Sequence, residues 1–322
     1  MAARAGGDKL SGSEAALRQG EVAPRASWSG NPLGGVKAPK PILLPSPEIV
    51  FARRAARLDA FAGGHPMQAW LRFMAQLARA QSASLPALAG VRPPAPEAVA
   101  TAVDAGLPPL AAAGHRRDAV WRDGLAMLLA KFNHAHSPPE AEAVASALAK
   151  RPAQVIETLA DDALNGRGGD VGAGLFVVGA LQPYFAAMAA ALPIEDLRLL
   201  PERGLCPCCG ATPVGGVIGD VGEARSVRYL HCSLCATAWN HVRAVCITCG
   251  GSRSLKLKSV EGDAGVAKAE TCEECGTYAK MFYAAKDPQV EPLADDLATL
   301  GLDLLVAEAG WSRHAQNPLL RV

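Results

Sequence analysis

Nine cysteines carry most of the chemistry legible in this chain, and all of them lie between positions 206 and 275. Eight form four C-x-x-C pairs: Cys206/Cys209, Cys232/Cys235, Cys246/Cys249 and Cys272/Cys275. Two thiolates two residues apart can face one ion from a tight knuckle, and a glycine just after it relaxes the backbone. Moving each member of the first two pairs 40 positions along the chain gives each member of the last two. Gly210 and Gly250 obey the same offset, as do Thr237 and Thr277. So many coincidences mark two copies of one module of about 40 residues.

The repeat also sorts the three cysteines of "LCPCCGATP". Cys206 and Cys209 have Cys246 and Cys249 as counterparts, whereas Cys208 matches Thr248, which cannot serve as a thiolate. The expected ligands are therefore Cys206, Cys209, Cys232 and Cys235 at site 1, and Cys246, Cys249, Cys272 and Cys275 at site 2. Cys208 is expected to be a spare, partly exposed thiol. Four thiolates around one ion imply tetrahedral coordination, which suits zinc or a mononuclear iron. Iron–sulfur clusters usually show less symmetric spacing. A disulfide framework would be unusual in a cytosolic chain of this size. His231 and His241 flank the second knuckle and are expected to be surface or structural groups, since four cysteines already fill the site.

The residues between knuckles must position them. "TPVGGVIGDVGEARSVRYLHC" has the Val, Ile, Tyr and Gly content of short strands with turns, so each module reads as a β-ribbon joining two knuckles. Residues 45–200 differ in kind. They are rich in Ala and Leu, and helical stripes recur. One runs through Ile49, Val50, Ala52, Ala56, Leu58 and Phe61. Another takes Trp70, Phe73, Met74 and Leu77, and a third Val120, Trp121, Leu125, Leu128 and Leu129. From 288 onward the helical pattern returns, with Val290, Leu293, Leu297, Leu300 and Leu304 on one face. Asp161-Asp162 and Asp295-Asp296 read as solvated faces of helices.

The fold class is therefore α+β: an all-helical N-terminal domain, two tandem rubredoxin-like or zinc-ribbon-like β modules, and a C-terminal helix. The expected units are a mobile tail over 1–44 with a short helix near "GSEAALRQ", the helical domain over 45–200, the metal modules over 201–243 and 244–286, and a helix and tail over 287–322. Residues 171–194 carry no charge and are long enough to span a bilayer. Gln182-Pro183 and the acidic flanks argue instead for a helix buried in the helical domain. Residues 1–40 lack an apolar signal region, so a cytoplasmic location is expected.

The residues around the cysteines carry a further signal. "CPCCGATPVGGVIG", "VRYLHCSLCATAWNHVRAVCITCG" and "KAETCEECGTYAKMFYAAKDPQVEPLADDLATLGLDLLVAEAGW" together resemble the formate dehydrogenase accessory proteins of FdhE type. "IVFARRAARLDAFAGGHPMQAWLRFMAQLARAQ" is similar to that family as well, so the resemblance spans roughly 47–318. Cys208 departs from the aliphatic residue usual there. The resemblance implies a cytoplasmic factor needed for active membrane-bound, molybdenum-dependent formate dehydrogenase, acting on its catalytic subunit before export. It implies two metal ions per chain, with iron favoured and zinc the alternative.

Three functions compete at this point. The first is a maturation chaperone whose metal modules organise a client-binding surface. No nucleophile elbow, phosphate loop or HExxH motif points to an enzyme. The second is electron transfer through rubredoxin-like iron. The third is a zinc-ribbon binder of nucleic acid using Arg225, Arg228, Tyr229, Trp239 and Arg243. Thirty-two Lys and Arg against 31 Asp and Glu give a net charge of +1, which does not favour a phosphate-binding footprint. The expected partner is the catalytic subunit, with no nucleic acid and no membrane insertion, and self-association is left open. His65 in "GHP" and His115 in "GHRRD" are read as helix-start residues ahead of client contacts.

Overall fold

The computed structural model describes residues 17–21, 38–132, 137–167 and 169–320. Within them the chain runs through β1 (Leu17–Glu21), β2 (Ile42–Leu43), α1 (Pro47–Ala62), α2 (Gln68–Ser84), α3 (Pro96–Asp104), α4 (Val120–Lys131), α5 (Pro139–Leu148), α6 (Ala153–Leu164) and α7 (Val171–Ala190). The sheet region follows as β3 (Pro213–Val221), β4 (Ala224–Cys232), β5 (Ala238–Asn240), β6 (Leu255–Val260), β7 (Ala267–Cys272) and β8 (Thr277–Tyr283). The described residues close with α8 (Pro292–Ala298), α9 (Leu300–Glu308) and β9 (Ser312–Arg313). A helical region, a sheet region with two cysteine clusters and C-terminal helices make this the α+β arrangement the sequence predicts.

Pro47 opens α1, where its missing N–H costs no hydrogen bond. The helix buries Phe51, Arg54, Ala55, Leu58 and Ala62. The expected stripe through Ile49, Ala52 and Ala56 is thus out of phase. Alanines weigh little in choosing a face, so Phe51 and Leu58 set it, and a paired arginine joins them. Ile49 is left 57% exposed. The stripe of α2 holds, with Phe73, Met74 and Leu77 buried.

α7 is long and apolar enough to cross a membrane by length and composition, yet 78% of its most apolar window is buried. Asp170 caps it by accepting from the Ala173 amide at 3.0 Å. Pro183 sits inside this helix and lacks the N–H that would bond the Gly179 carbonyl. Gln81 supplies the missing donor, with its Nε2 2.8 Å from that oxygen. A buried amide thus allows the proline mid-helix.

Among the described residues the strands form one nine-stranded sheet in the order β1-β6-β7-β8-β3-β4-β5-β2, with β9 on β8. Each repeat contributes an antiparallel trio, β3-β4-β5 and β6-β7-β8. The two trios join through the parallel pair β3–β8, which sets Gly216 opposite Met281. Side chains would obstruct that joint: a Cβ on Gly215 would lie 2.8 Å from the Lys280 carbonyl oxygen, and one on Gly216 2.7 Å from the Met281 sulfur. Leu17–Glu21 is a strand paired with β6 rather than part of the helix expected near "GSEAALRQ", whose residues 12–16 lie outside the described ones.

Two further expectations need correction. The single C-terminal helix is two, broken at Thr299, so Leu304 is 67% exposed while Leu302 and Val306 are buried. Asp295 and Asp296 are not solvated but 1% and 0% exposed. Arg57 pairs with Asp295 at 2.7 Å, and Lys280 pairs with Asp296 at 2.8 Å and with Asp303 at 2.6 Å. Arg313 also bonds Asp296. Buried charges need such partners.

Candidate metal centres

Each first knuckle is closed by its own backbone. The Cys206 amide donates to the Ala211 carbonyl at 2.9 Å and the Gly210 amide to the Cys206 carbonyl at 2.9 Å. Cys246 and Gly250 repeat this with Gly251 and Cys246 at 2.7 and 3.0 Å. Gly210 and Gly250 stand at φ +77° and +73°, a left-handed conformation that glycine adopts without strain. The second knuckles start at the ends of β4 and β7, so the ribbon carries each pair of sulfurs to the other.

The eight cysteines of the two expected sets meet as two clusters whose sulfurs all lie within 4.8 Å of one another. At site 1, Cys206–Cys235 and Cys209–Cys232 are 3.5 and 3.4 Å apart. At site 2, Cys246–Cys275 and Cys249–Cys272 are both 3.7 Å apart. An ion with four sulfurs at about 2.3 Å spaces them about 3.8 Å apart, so the clusters have the right size. Cys208 belongs to neither cluster. It is 0% exposed rather than partly exposed as expected, because the loop before α4 covers its knuckle.

The thiols themselves call for a cation. Burial pushes Cys206, Cys209 and Cys232 well above the ordinary thiol range. Burial also opposes ionisation of Cys235, but hydrogen bonds from Cys206, Cys209, Cys232 and Thr237 overcome it and hold that thiol well below its ordinary range. Site 2 repeats the split. Burial lifts Cys272 to about 12, while Cys275, opposed by burial, comes down to about 7 through Thr277 and its thiol neighbours. At site 1 burial keeps Cys206, Cys209 and Cys232 protonated, and a bound cation would displace those protons and let the thiolates form. The donor set thus fits zinc or iron equally well.

Thr237 and Thr277 were visible in the sequence only as markers of the repeat. Their hydroxyls stand 3.1 Å from Cys235 Sγ and Cys275 Sγ, the same place in both copies. They orient that sulfur and can donate to it. The 40-residue offset was the signal that could have found them. Backbone amides do similar work: those of Leu234 and Cys235 lie 3.3 Å from Cys232 Sγ.

The surroundings of the two sites differ. The Leu110 amide donates to the Cys208 carbonyl at 2.8 Å and the Ala112 amide to the Cys209 carbonyl at 2.9 Å. Gln182 of α7 donates to the Ser233 carbonyl at 2.8 Å. All four site 1 cysteines are buried, whereas at site 2 Cys249 is exposed and Cys275 half-buried.

The histidines and candidate stacking residues find ordinary places. His241 Nδ1 is 2.7 Å from Arg228 Nη2, and burial followed by the Arg228 charge takes it down to about 4. Burial, then Arg53, does the same to His231. His65 Nδ1 accepts from the Met67 amide at 3.0 Å, the local role expected of it. His115 packs on Tyr184 and Phe185. Arg228 is fully buried and pairs with Glu270 of the second repeat at 2.6 Å, so it stitches the two copies together. Tyr229 and Trp239, 3% and 1% exposed, are packing residues with no face free to stack on a base.

The chain matches the family descriptions "FdhE, N-terminal" over residues 39–201, "FdhE, central domain" over 205–243 and "FdhE, C-terminal domain" over 244–320. It is 39% identical over 286 residues to a protein FdhE homolog of Edwardsiella ictaluri, spanning 87% of this chain and 91% of the relative. A protein FdhE homolog of Actinobacillus pleuropneumoniae is 35% identical over 310 residues, spanning 94% of this chain and 97% of the relative. The crystal structure of the FdhE protein from Pseudomonas aeruginosa superposes with a TM-score of 0.79 at 35% identity, covering 87% of this chain and 98% of that one. Sequence, fold and both cysteine clusters thus agree: the chain belongs to the FdhE family.

Proposed function

We propose that the chain is a cytoplasmic maturation factor for a membrane-bound, molybdenum-dependent formate dehydrogenase. It binds the catalytic subunit before export, through a surface organised by two four-cysteine metal sites, and performs no chemistry of its own. The observation that carries this reading is the gathering of all eight repeat-matched cysteines into two metal-sized clusters, in a chain whose family matches run from residue 39 to residue 320. Cys206, Cys209, Cys232 and Cys235 hold one ion, and Cys246, Cys249, Cys272 and Cys275 the other. The family resemblance favours iron over zinc. The helical domain over 45–200, the modules over 201–243 and 244–286 and the C-terminal segment over 287–322 are the working units.

A second reading has a specific observation behind it. Cys249 and Cys275 leave site 2 open to solvent, as a redox-active rubredoxin-like iron would need to be to exchange electrons with a partner. Metal analysis with an absorption spectrum separates the readings. Two irons with thiolate-to-ferric bands keep the redox role, while two zincs and no colour leave a scaffold. The maturation role is tested in a strain lacking this protein. The wild-type chain restores formate dehydrogenase activity, and Cys232→Ser and Cys272→Ser do not. Full activity from both variants without bound metal would refute it.

A further inference from the structure

A cavity of about 410 Å³ opens between α1 and the face of the sheet made by β3 and β4. Ile49 and Val50 line it from the helix, and Val217 and Val227 from the sheet. Ile49 is 57% exposed, and the three valines are only half-buried. Apolar surface is thus left open on both walls, which marks a place for a partner. Cys232 of site 1 and Ala236 just beyond its second knuckle also border the cavity, so the cysteine-bearing end of β4 shapes it.

Two arginines and two acids line the cavity, and three of these four already have ion-pair partners. Arg54 pairs with Glu291 at the buried end. Asp220 accepts from Arg225 and from the Ser226 amide. Two groups remain. Arg53 is exposed, bonds only the Val290 carbonyl at 3.3 Å and makes no ion pair among the described residues. His231 lines the cavity, and its side chain has no hydrogen-bond partner among them. The charge left without a partner is positive, and a neighbouring imidazole is free to bond.

We propose that this groove receives an extended segment of the client protein, an aliphatic side chain against Ile49, Val217 and Val227 and an adjacent carboxylate on Arg53 and His231. Charge complementarity selects the acidic residue, and the facing helix and strand walls suit alternate side chains of an extended chain. This assignment rests on the maturation-factor reading and specifies where the client is held. It also ties recognition to site 1, since Cys232 ends the strand that carries Val227 and His231.

The test uses the full chain with both metals bound and the purified catalytic subunit of the cognate formate dehydrogenase as probe. Ile49→Asp and Arg53→Glu change exposed side chains, so both variants fold, as metal content and circular dichroism verify. Each weakens binding by about tenfold or more, whereas Arg53→Lys keeps most of the affinity. Leu304→Asp, at a still more exposed leucine on α9 outside the groove, binds like wild type. Wild-type affinity in both Ile49→Asp and Arg53→Glu overturns the groove assignment and leaves the maturation role standing. Failure of the wild-type chain to bind the subunit overturns both. Loss of a dimer of this chain in these variants, with client affinity unchanged, makes the groove a self-association face and likewise refutes the proposal.

Discussion

Site 1 and site 2 come from one repeated module, with knuckles, turn glycines and threonine hydroxyls in matching places, yet they live in different surroundings. Cys206, Cys209, Cys232 and Cys235 belong to the same apolar cluster as Leu58, Leu71 and Phe185 of the helical region. Cys246 and Cys272 share a separate cluster with Leu255 alone among buried residues. The carbonyls of Cys208 and Cys209 receive amides from the helical region, and the matching carbonyls of Thr248 and Cys249 receive none among the described residues. Both copies share one four-cysteine geometry, and their neighbours decide how much of each is sealed. A site inside a shared core holds distant parts of the chain together. One at the margin is free to meet a partner.

The sharpest break in that comparison is removal of one ligand from each site. Metal binding to such a site is worth on the order of 10 kcal/mol and is inseparable from folding of its module. Cys232→Ser lowers the melting temperature of the helical signal along with that of the sheet, because site 1 is part of the main core. Cys272→Ser melts the second module and lowers the helical transition less than Cys232→Ser does, since Met281 and the Arg228–Glu270 pair still link the module to the main core. Circular dichroism with metal analysis reads both outcomes. A coloured chelator applied to the intact protein extends the test: the site 2 ion leaves first, and site 1 releases its ion only on unfolding. Equal rates would mean that burial does not distinguish the sites.

The next effect comes from the buried ion pairs of the C-terminal segment. Burial opposes ionisation of Asp296, but Lys280 and Arg313 prevail and hold its carboxyl below the ordinary range. Asp296→Asn leaves Lys280, itself 0% exposed, without one of its two carboxylates, and costs about 3–5 kcal/mol in urea denaturation. The pH dependence follows from the depressed value. The contribution is complete above the unfolded-state value of about 3.9 and disappears as pH falls through the folded one. The stability gap between wild type and variant is therefore constant near neutrality and narrows only below about pH 4. A gap that closed between about pH 5 and 7 would point to another group.

Comparing the copies also shows what a sequence can reveal. The two cysteine clusters were legible because the 40-residue offset is a local pattern written twice. The helical region was legible because large apolar residues recur at helical steps. The joint between the modules was not, since parallel pairing of β3 with β8 brings together residues 65 apart, Gly216 and Met281, with no shared pattern. Burial of Asp295 was hidden for the same reason: its partner Arg57 lies 238 positions away. Cys208 was misjudged because only the fold shows the loop that covers it. Spacing reports chemistry within a module, and long-range pairing reports what encloses it.

Smaller effects probe the turns on which the two copies differ. Ala236 and Gly276 hold matching positions, at φ +59° and +67°. A side chain at such an angle costs about 1–2 kcal/mol relative to ordinary backbone, whereas glycine bears no such strain. Nothing lies within 4 Å of a Cβ added at Gly276, so Gly276→Ala isolates the backbone term. It lowers stability by about 1 kcal/mol in urea, and Ala236→Gly raises it by less, since glycine also loses more entropy on folding.

Cys208→Val gives the smallest change and tests the repeat most directly. The thiol is fully buried, yet it stands outside the cluster of Cys206, Cys209, Cys232 and Cys235. Valine supplies similar apolar volume, and such exchanges usually cost under about 1.5 kcal/mol. The variant keeps two metal ions per chain and the wild-type spectrum, because its counterpart in the second copy, Thr248, is no ligand either. Loss of one ion without loss of the fold would mean that Cys208 replaces Cys209 at site 1, and that the two copies differ in their ligands as well as in their surroundings.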